Sequence, residues 1–239
     1  GVASSVGLSL FAHVGTSSQI DSITLAKHAA DVGVDAISAM APSYFKPATC
    51  EDLAAYLREI ASAASATPFY YYDIPSWTGV TFRSSEILST FAEKIPTLAG
   101  IKYTSNDLAD FARCIAIAST NFKLFWGCDE ALLAGLVLGA HGAIGSTYNF
   151  AALQAKEVID AFQKNDFATA REAQLKVIHI VDILARHGYL PASKALMGIL
   201  GVDCGSVRSP LRPLDHDQVE KLRKQVSTLG LAIPKKYRD

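Results

Sequence analysis

Short apolar runs rich in β-branched and aromatic residues alternate along this chain with stretches whose apolar residues recur every three or four positions. Runs of the first kind predict strands at Leu10–Gly15, Ala36–Ala41 (ended by Pro42), Phe69–Ile74 (closed by Pro75), Leu98–Tyr103, Lys123–Gly127 and Gly142–Gly145. The intervening stretches predict helices. Leu25, Ala29 and Val32 form one stripe. Leu53, Tyr56, Leu57, Ile60 and Ala61 form the next, opened by Thr49 and Asp52 at capping-box spacing. Ile87, Leu88 and Phe91 mark a short helix stopped before Pro96, and Leu108, Phe111, Ala112 and Ile115 mark another. Leu132, Leu133, Leu136 and Val137 follow Asp129, a residue type suited to capping that helix, and Val158, Ile159 and Phe162 belong to the helix after it. From there the strands stop. Three further helices carry Val177, Ile178, Val181, Leu184 and Ala185, then Ala195, Leu196, Ile199 and Leu200 from a start at Pro191, then Val219, Leu222 and Val226 behind a capping Asp215.

Strands alternating with helices imply βαβ crossovers and a parallel sheet, hence an α/β fold. A doubly wound sheet usually carries a G-x-G-x-x-G loop after its first strand. The only glycine cluster here is Gly135, Gly139, Gly142 and Gly145, which has a different spacing and leads into a short strand. A (βα) barrel needs no such signature and sets its chemistry at the C-terminal ends of its strands. The expected organisation is a partial barrel of about six βα units over residues 1–166, with a C-terminal helical extension packed on it over 167–239. The chain begins with Gly rather than Met, as a fragment or processed form would. Its apolar opening, Gly1–Gly15, has no Lys or Arg ahead of it, so it reads as a lead-in to the first strand rather than a secretory signal.

Composition narrows the function classes. The 239 residues carry 22 Lys and Arg against 23 Asp and Glu, which leaves no basic footprint for nucleic acid. No apolar run approaches the roughly 20 residues of a membrane span. Four cysteines, Cys50, Cys114, Cys128 and Cys204, form no C-x-x-C pair and are expected as free thiols in a reducing compartment. Six histidines show no H-x-x-x-H spacing, so no metal site is expected; His13 and His28 read as packing residues. A G-x-S-x-G elbow is also missing.

The strand ends are polar. The third reads Tyr70-Tyr71-Tyr72-Asp73-Ile74-Pro75, the fourth Ala99-Gly100-Ile101-Lys102-Tyr103-Thr104, the fifth Gly127-Cys128-Asp129-Glu130 and the sixth Gly145-Ser146-Thr147-Tyr148-Asn149. Lys102 sits within an apolar strand, where an ammonium loses hydration. A lysine kept neutral attacks a ketone to form a Schiff base, and the protonated imine draws electrons from an adjacent carbon–carbon bond. The plainer alternative is a lysine that snorkels to solvent. Tyr72 is a candidate acid/base for the hydroxyl proton of aldol chemistry, or simply one of three tyrosines filling a core. Asp129 and Glu130 suit the hydroxyls of a polyol, or a helix N-terminus. Ser146 suits a substrate hydroxyl or carboxylate, or a turn.

In this order, with Tyr72 and Lys102 separated by 30 positions, these motifs resemble the N-acetylneuraminate lyase (sialic acid aldolase) family of the dihydrodipicolinate synthase superfamily, most closely its animal members. Tyr71-Tyr72-Asp73-Ile74-Pro75 with Thr78-Gly79-Val80, Gly100-Ile101-Lys102-Tyr103-Thr104, Gly127-Cys128-Asp129-Glu130 and Gly142 to Asn149 carry the likeness, which runs from about Phe11 to near the end. The resemblance implies a (βα)8 TIM-type barrel lacking its first two βα units here, with additional C-terminal helices. It implies a cytoplasmic homotetramer that needs no metal or other cofactor, because the covalent imine forms through Lys102. It implies cleavage of a small-molecule sugar acid, N-acetylneuraminate, to N-acetylmannosamine and pyruvate. Lys102 and Tyr72 would be catalytic, and Thr104, Gly127, Asp129, Glu130 and Ser146 would hold the sugar chain. Trp77 stands where the synthase branch tends to carry an Arg for a second carboxylate, and a neutral ring cannot pair one. The family's Gly-Thr-Thr-Gly-Glu-like loop is missing, with Gly15-Thr16-Ser17 a superficial echo, and Asp73 replaces the usual Asn or His. Two other readings fit the same residues. One is a catalytically impaired short form. The other is a related pyruvate-dependent aldolase for another sugar acid, its pocket reshaped by Trp77 and Cys128.

Overall fold

The structure, a computed structural model, describes residues 5–118 and 120–231. The start of the expected lead-in, residues 1–4, and the end of the expected helical extension, residues 232–239, lie outside the described residues. The chain divides into two compact units. The first holds residues 1–128 and 137–143, and the second holds 129–136 and 144–239.

The first unit is built on one parallel sheet. Its strands are β1 (Phe11–His13), β2 (Ala36–Met40), β3 (Phe69–Asp73), β4 (Leu98–Tyr103), β5 (Lys123–Trp126) and β6 (Gly142–Ala143), in the order β1-β2-β3-β4-β5-β6. The strand order never reverses, so the sheet has no topological switch point of the doubly wound kind. It is curled. Phe11 on β1 and Phe125 on β5 bring their ring centroids to 6.0 Å, with the Tyr70 ring of β3 at 5.0 and 5.5 Å from them. In a flat sheet, four strand spacings would hold those rings roughly 19 Å apart. The result is a half-barrel with an inner and an outer face.

The strand period of two sorts residues between those faces. Phe69, Tyr71, Ile101, Tyr103, Leu124 and Trp126 lie on the outer face and are buried. They pack against helices α1 (Gln19–Asp31), α2 (Cys50–Ser62), α4 (Ser84–Lys94) and α5 (Leu108–Ala118); a short helix α3 (Pro75–Thr78) follows β3. Tyr71 meets Phe91 of α4 edge-on at 5.3 Å, and Phe111 of α5 packs on Tyr103 and Trp126, each at 5.0 Å. Helix α2 opens with the expected Thr49–Asp52 capping box and buries Leu53, Leu57, Ile60 and Ala61. Two stripes differ from expectation. Helix α1 buries Ser22, Ala26 and Ala29, leaving Leu25 and Val32 exposed, and α5 buries Asp110, Phe111, Cys114 and Ala118. Small side chains let α1 lie close to the sheet, so residue size rather than hydrophobicity chose the face. His28 is exposed in the last turn of α1, where a basic residue faces the negative end of the helix dipole, so it is not the packing residue expected.

A buried polar cluster anchors the C-terminal end of β3. Asp73 is 2% exposed and accepts from Ser84 Oγ at 2.6 Å, while Asp110 accepts from the Ser84 amide at 2.8 Å and Ser85 Oγ at 2.5 Å. Asp110 thus caps α4 from another helix. Burial pushes the Asp73 carboxyl up from 3.8 to about 6; the Ser84 hydrogen bond opposes this and the Asp110 charge adds to it. The folded state therefore holds this proton more tightly than the unfolded chain does. The contribution of Asp73 to stability falls as pH rises from about 4 to about 6 and stays lost above that. Asp73→Asn is expected to flatten this part of the stability–pH curve by about 3 kcal/mol, read by urea unfolding at pH 4 and pH 7.

The second unit is helical. It contains a 3-10 turn (Asp129–Ala131) and α7 (Tyr148–Gln163), α8 (Phe167–Arg186), α9 (Tyr189–Ile199) and α10 (His216–Val226); α6 (Leu132–Val137) follows the turn. Phe150, Ile180, Leu184, Leu196 and Leu222 meet in its core. Asp215 and Gln218 form a capping box on α10. Helix α9 starts at Tyr189 rather than Pro191, because a first helical turn has no internal use for the amide a proline lacks.

Candidate functional site

In the first unit, Tyr72 and Lys102 are paired neighbours on β3 and β4. Both point to the inner face, since they alternate with the outward, buried Tyr71, Asp73, Ile101 and Tyr103. The Lys102 Nζ stands over the Tyr72 ring, 3.8 Å from its centroid. Lys102 is half-buried, so it is neither sealed in the core nor extended into solvent. An amine and a phenol are thereby held together on the inner face of the sheet, as addition to a carbonyl with proton transfer requires. Asp73 points to the opposite face, where it accepts from Ser84 Oγ.

His13 completes this layer from β1. Its Nδ1 lies 3.1 Å from Ser38 Oγ, and its ring meets the Tyr72 ring at 5.8 Å and 87°. One edge stays open to solvent, yet burial, followed by the Lys102 charge, pulls its pKa below 6.5. It is a neutral ring at physiological pH.

Thr104 closes the end of β4. Its amide donates to the Asp73 carbonyl at 3.1 Å, and its hydroxyl donates to the same oxygen. Gly127 is a glycine for lack of space: an added Cβ would overlap Thr104 Cγ2 and stand 3.3 Å from Lys102 Cε. Thr16, in the Gly15-Thr16-Ser17 segment, donates its hydroxyl to the Ser18 carbonyl and so belongs to the start of α1. Trp77 is exposed. None of the four cysteines forms a disulfide; Cys50 and Cys114 are buried and Cys128 is half-buried. Among the described residues, no group of three or more His, Cys, Asp or Glu is placed to hold a metal ion, and no helix is long and apolar enough to cross a membrane.

In the second unit, Asp129 is 4% exposed. It does not cap its own helix as expected. Its Oδ2 accepts from the Thr147 amide at 2.9 Å, and its carbonyl accepts from Gln174 Nε2 at 3.1 Å. Its Oδ1 is buried with no hydrogen-bond partner among the described residues. A Cβ on Gly145 would overlap that carboxylate, so glycine there is what admits it. Gly145→Ala is expected to destabilise the protein by about 1–3 kcal/mol through overpacking, read by denaturant unfolding. Glu130 and Ser146 are exposed. The Ser146 Oγ lies 3.0 Å from the Tyr189 hydroxyl, which also lies 2.7 Å from Thr147 Oγ1.

The structure thus groups Tyr72, Lys102, Thr104 and Gly127 in one unit, and Asp129, Glu130 and Ser146 in the other. Sequence reasoning missed His13, Gln174 and Tyr189 as parts of these constellations. Gln174 had a usable signal: a polar residue three positions before Val177 on the buried stripe of α8. Tyr189 had none, because its partners lie more than 40 positions away.

Comparison with known proteins gives a consistent picture. Residues 5–229 match the Dihydrodipicolinate synthetase family. The chain is 38% identical over 220 residues to the N-acetylneuraminate lyase of Mus musculus, a match covering 91% of this chain and 69% of that protein. The solved N-acetylneuraminate lyase of Proteus mirabilis superposes with a TM-score of 0.92 at 34% identity, covering 96% of this chain and 78% of that one. A catalytic lysine mutant of the Ruminococcus gnavus sialic acid aldolase superposes with a TM-score of 0.86 at 29% identity, covering 96% and 75%.

Proposed function

Because the chain belongs to the dihydrodipicolinate synthetase family, in its N-acetylneuraminate lyase branch, we propose that it cleaves N-acetylneuraminate to N-acetylmannosamine and pyruvate by a Schiff-base mechanism centred on Lys102. The observation that carries the residue assignment is the Lys102 amine held 3.8 Å over the Tyr72 ring on the inner face of a half-barrel. A solved relative, a mutant of a sialic acid aldolase in a lysine described as catalytic, supports it.

Neutral Lys102 adds to the ketone of the open-chain sugar acid, and the departing hydroxide takes a proton from the solvent to leave as water, giving a protonated imine. Tyr72, its own proton passed to water as the cationic imine forms beside it, accepts the proton of the hydroxyl next to the bond to be broken and later returns it to the enamine carbon. The electron pair of that carbon–carbon bond moves into the imine, the aldehyde half leaves as N-acetylmannosamine, and an enamine remains on Lys102. Protonation of the enamine carbon and hydrolysis release pyruvate and restore the amine. The imine nitrogen is itself the electron sink, so the chemistry calls for no metal or dissociable cofactor.

Asp129, Glu130, Ser146, Thr104 and Gly127 are assigned to the sugar chain. The Asp129 carboxylate is held at Oδ2 by the amide of Thr147, the residue after Ser146, which supports treating these positions together. Thr104 donates to Asp73 and still has lone pairs with which to accept. The six strands are taken as staves of a (βα)8 barrel lacking its first two βα units, with α8–α10 as additional C-terminal helices. The 38% exposure of Phe11 on the inner face supports an unfilled barrel interior. A cytoplasmic homotetramer completes the proposal. Tyr44 and Phe45, 85% and 84% exposed, support an association surface.

Pyruvate release from N-acetylneuraminate tests the reading. Release is expected, and faster turnover of shorter 2-keto acids would shift the assignment to a different sugar acid.

A further inference from the structure

Within the second unit, one phenol joins two neighbouring hydroxyls of different exposure. Thr147 is 1% exposed, and among the described residues its hydroxyl has one partner, Tyr189 OH at 2.7 Å. Ser146 is exposed and has the same partner at 3.0 Å. Tyr189 reaches both from the first turn of α9, whose carbonyl there is held by Ser193 Oγ at 2.6 Å.

Each hydroxyl has one proton to give. If Tyr189 donated to Thr147, the buried Thr147 proton would have no acceptor, which costs free energy. The arrangement that leaves no buried donor unpaired runs one way: Thr147 donates to Tyr189, and Tyr189 donates to Ser146. Burial pushes the Tyr189 phenol up and its two hydrogen bonds oppose that, so the ring keeps its proton at any physiological pH and always has one to donate. Ser146 then accepts from Tyr189, and its own proton is free to point outward. The Thr147 amide meanwhile holds Asp129 Oδ2.

We infer that Tyr189 is a specificity-determining positioning residue, which turns the exposed Ser146 hydroxyl into a hydrogen-bond donor to the substrate. The exposed hydroxyl thereby favours a ligand that presents an oxygen acceptor to it, as the hydroxylated chain of a sugar acid does. A keto acid without the hydroxylated chain gains nothing from it. This rests on the assignment of Asp129 and Ser146 to the sugar chain.

Tyr189→Phe keeps the ring and removes the relay. The expected result is a KM for N-acetylneuraminate raised roughly tenfold, the scale of one hydrogen bond. Borohydride trapping of pyruvate alone should stay within about twofold of wild type, because pyruvate lacks the chain that Ser146 serves. Ser146→Ala should show the same KM loss, and the double variant should lose no more than either single one. Ser146 is exposed, so its variant carries the test should the Tyr189 change unfold the chain. An unchanged KM in either variant, with trapping intact, would overturn the inference and leave the lyase reading standing. Wild-type protein that traps no pyruvate would remove the lyase reading first, and this inference with it.

Discussion

Lys102→Ala is expected to cleave N-acetylneuraminate more than about 10⁴-fold more slowly than the parent chain, the scale on which removing a covalent nucleophile acts. Without the amine no imine forms, and the electron pair of the breaking carbon–carbon bond has no acceptor. Lys102→Arg is expected to fail as badly. A guanidinium keeps the charge beside Tyr72 but stays protonated and cannot condense with a ketone. Pairing the two variants separates covalent chemistry from electrostatics. Full activity in Arg with loss in Ala would show that Lys102 contributes only its charge. Activity is to be followed as pyruvate release, with circular dichroism confirming that each variant keeps its helices.

Tyr72→Phe is expected to separate the two halves of the reaction. The ring that lies 3.8 Å beneath Lys102 Nζ remains, so the cation–π contact and the packing against His13 persist. Only the hydroxyl is lost. Imine formation should survive, and borohydride should still fix pyruvate to Lys102. Carbon–carbon cleavage, which needs a proton acceptor at the substrate hydroxyl, should fall about 10² to 10⁴-fold in kcat. Equal loss of trapping and cleavage would place Tyr72 in shaping the amine rather than in proton transfer. Unchanged cleavage would remove it from the mechanism.

The strands were legible because a parallel sheet writes its signal locally. β4 lies at Leu98–Tyr103 as the apolar run predicts, and β3 ends one residue early at Asp73. β1 and β6 are shorter than their apolar runs, since Gly15 and Gly145 already lie in the irregular connections leaving the sheet. Helix faces were less legible where small residues face the sheet. On α1 the larger Leu25 and Val32 suggested the buried side, but Ser22, Ala26 and Ala29 occupy it. Lys102 and Tyr72 stood out because a lysine inside an apolar strand conflicts with propensity, and such conflicts mark functional sites. Long-range partnerships left no local trace. The buried end of Asp129 is set by an amide 18 positions away, and Tyr189 is recruited from 42 and 43 positions away.

One measurement bears on the central claim most directly. The protein is incubated with pyruvate and sodium borohydride, digested, and the modified peptide sequenced by mass spectrometry. A single reduced pyruvyl adduct is expected on the peptide containing Gly100 to Thr104, with the added mass on Lys102. An adduct on any other lysine, or no adduct under conditions where the helices remain folded, would contradict it.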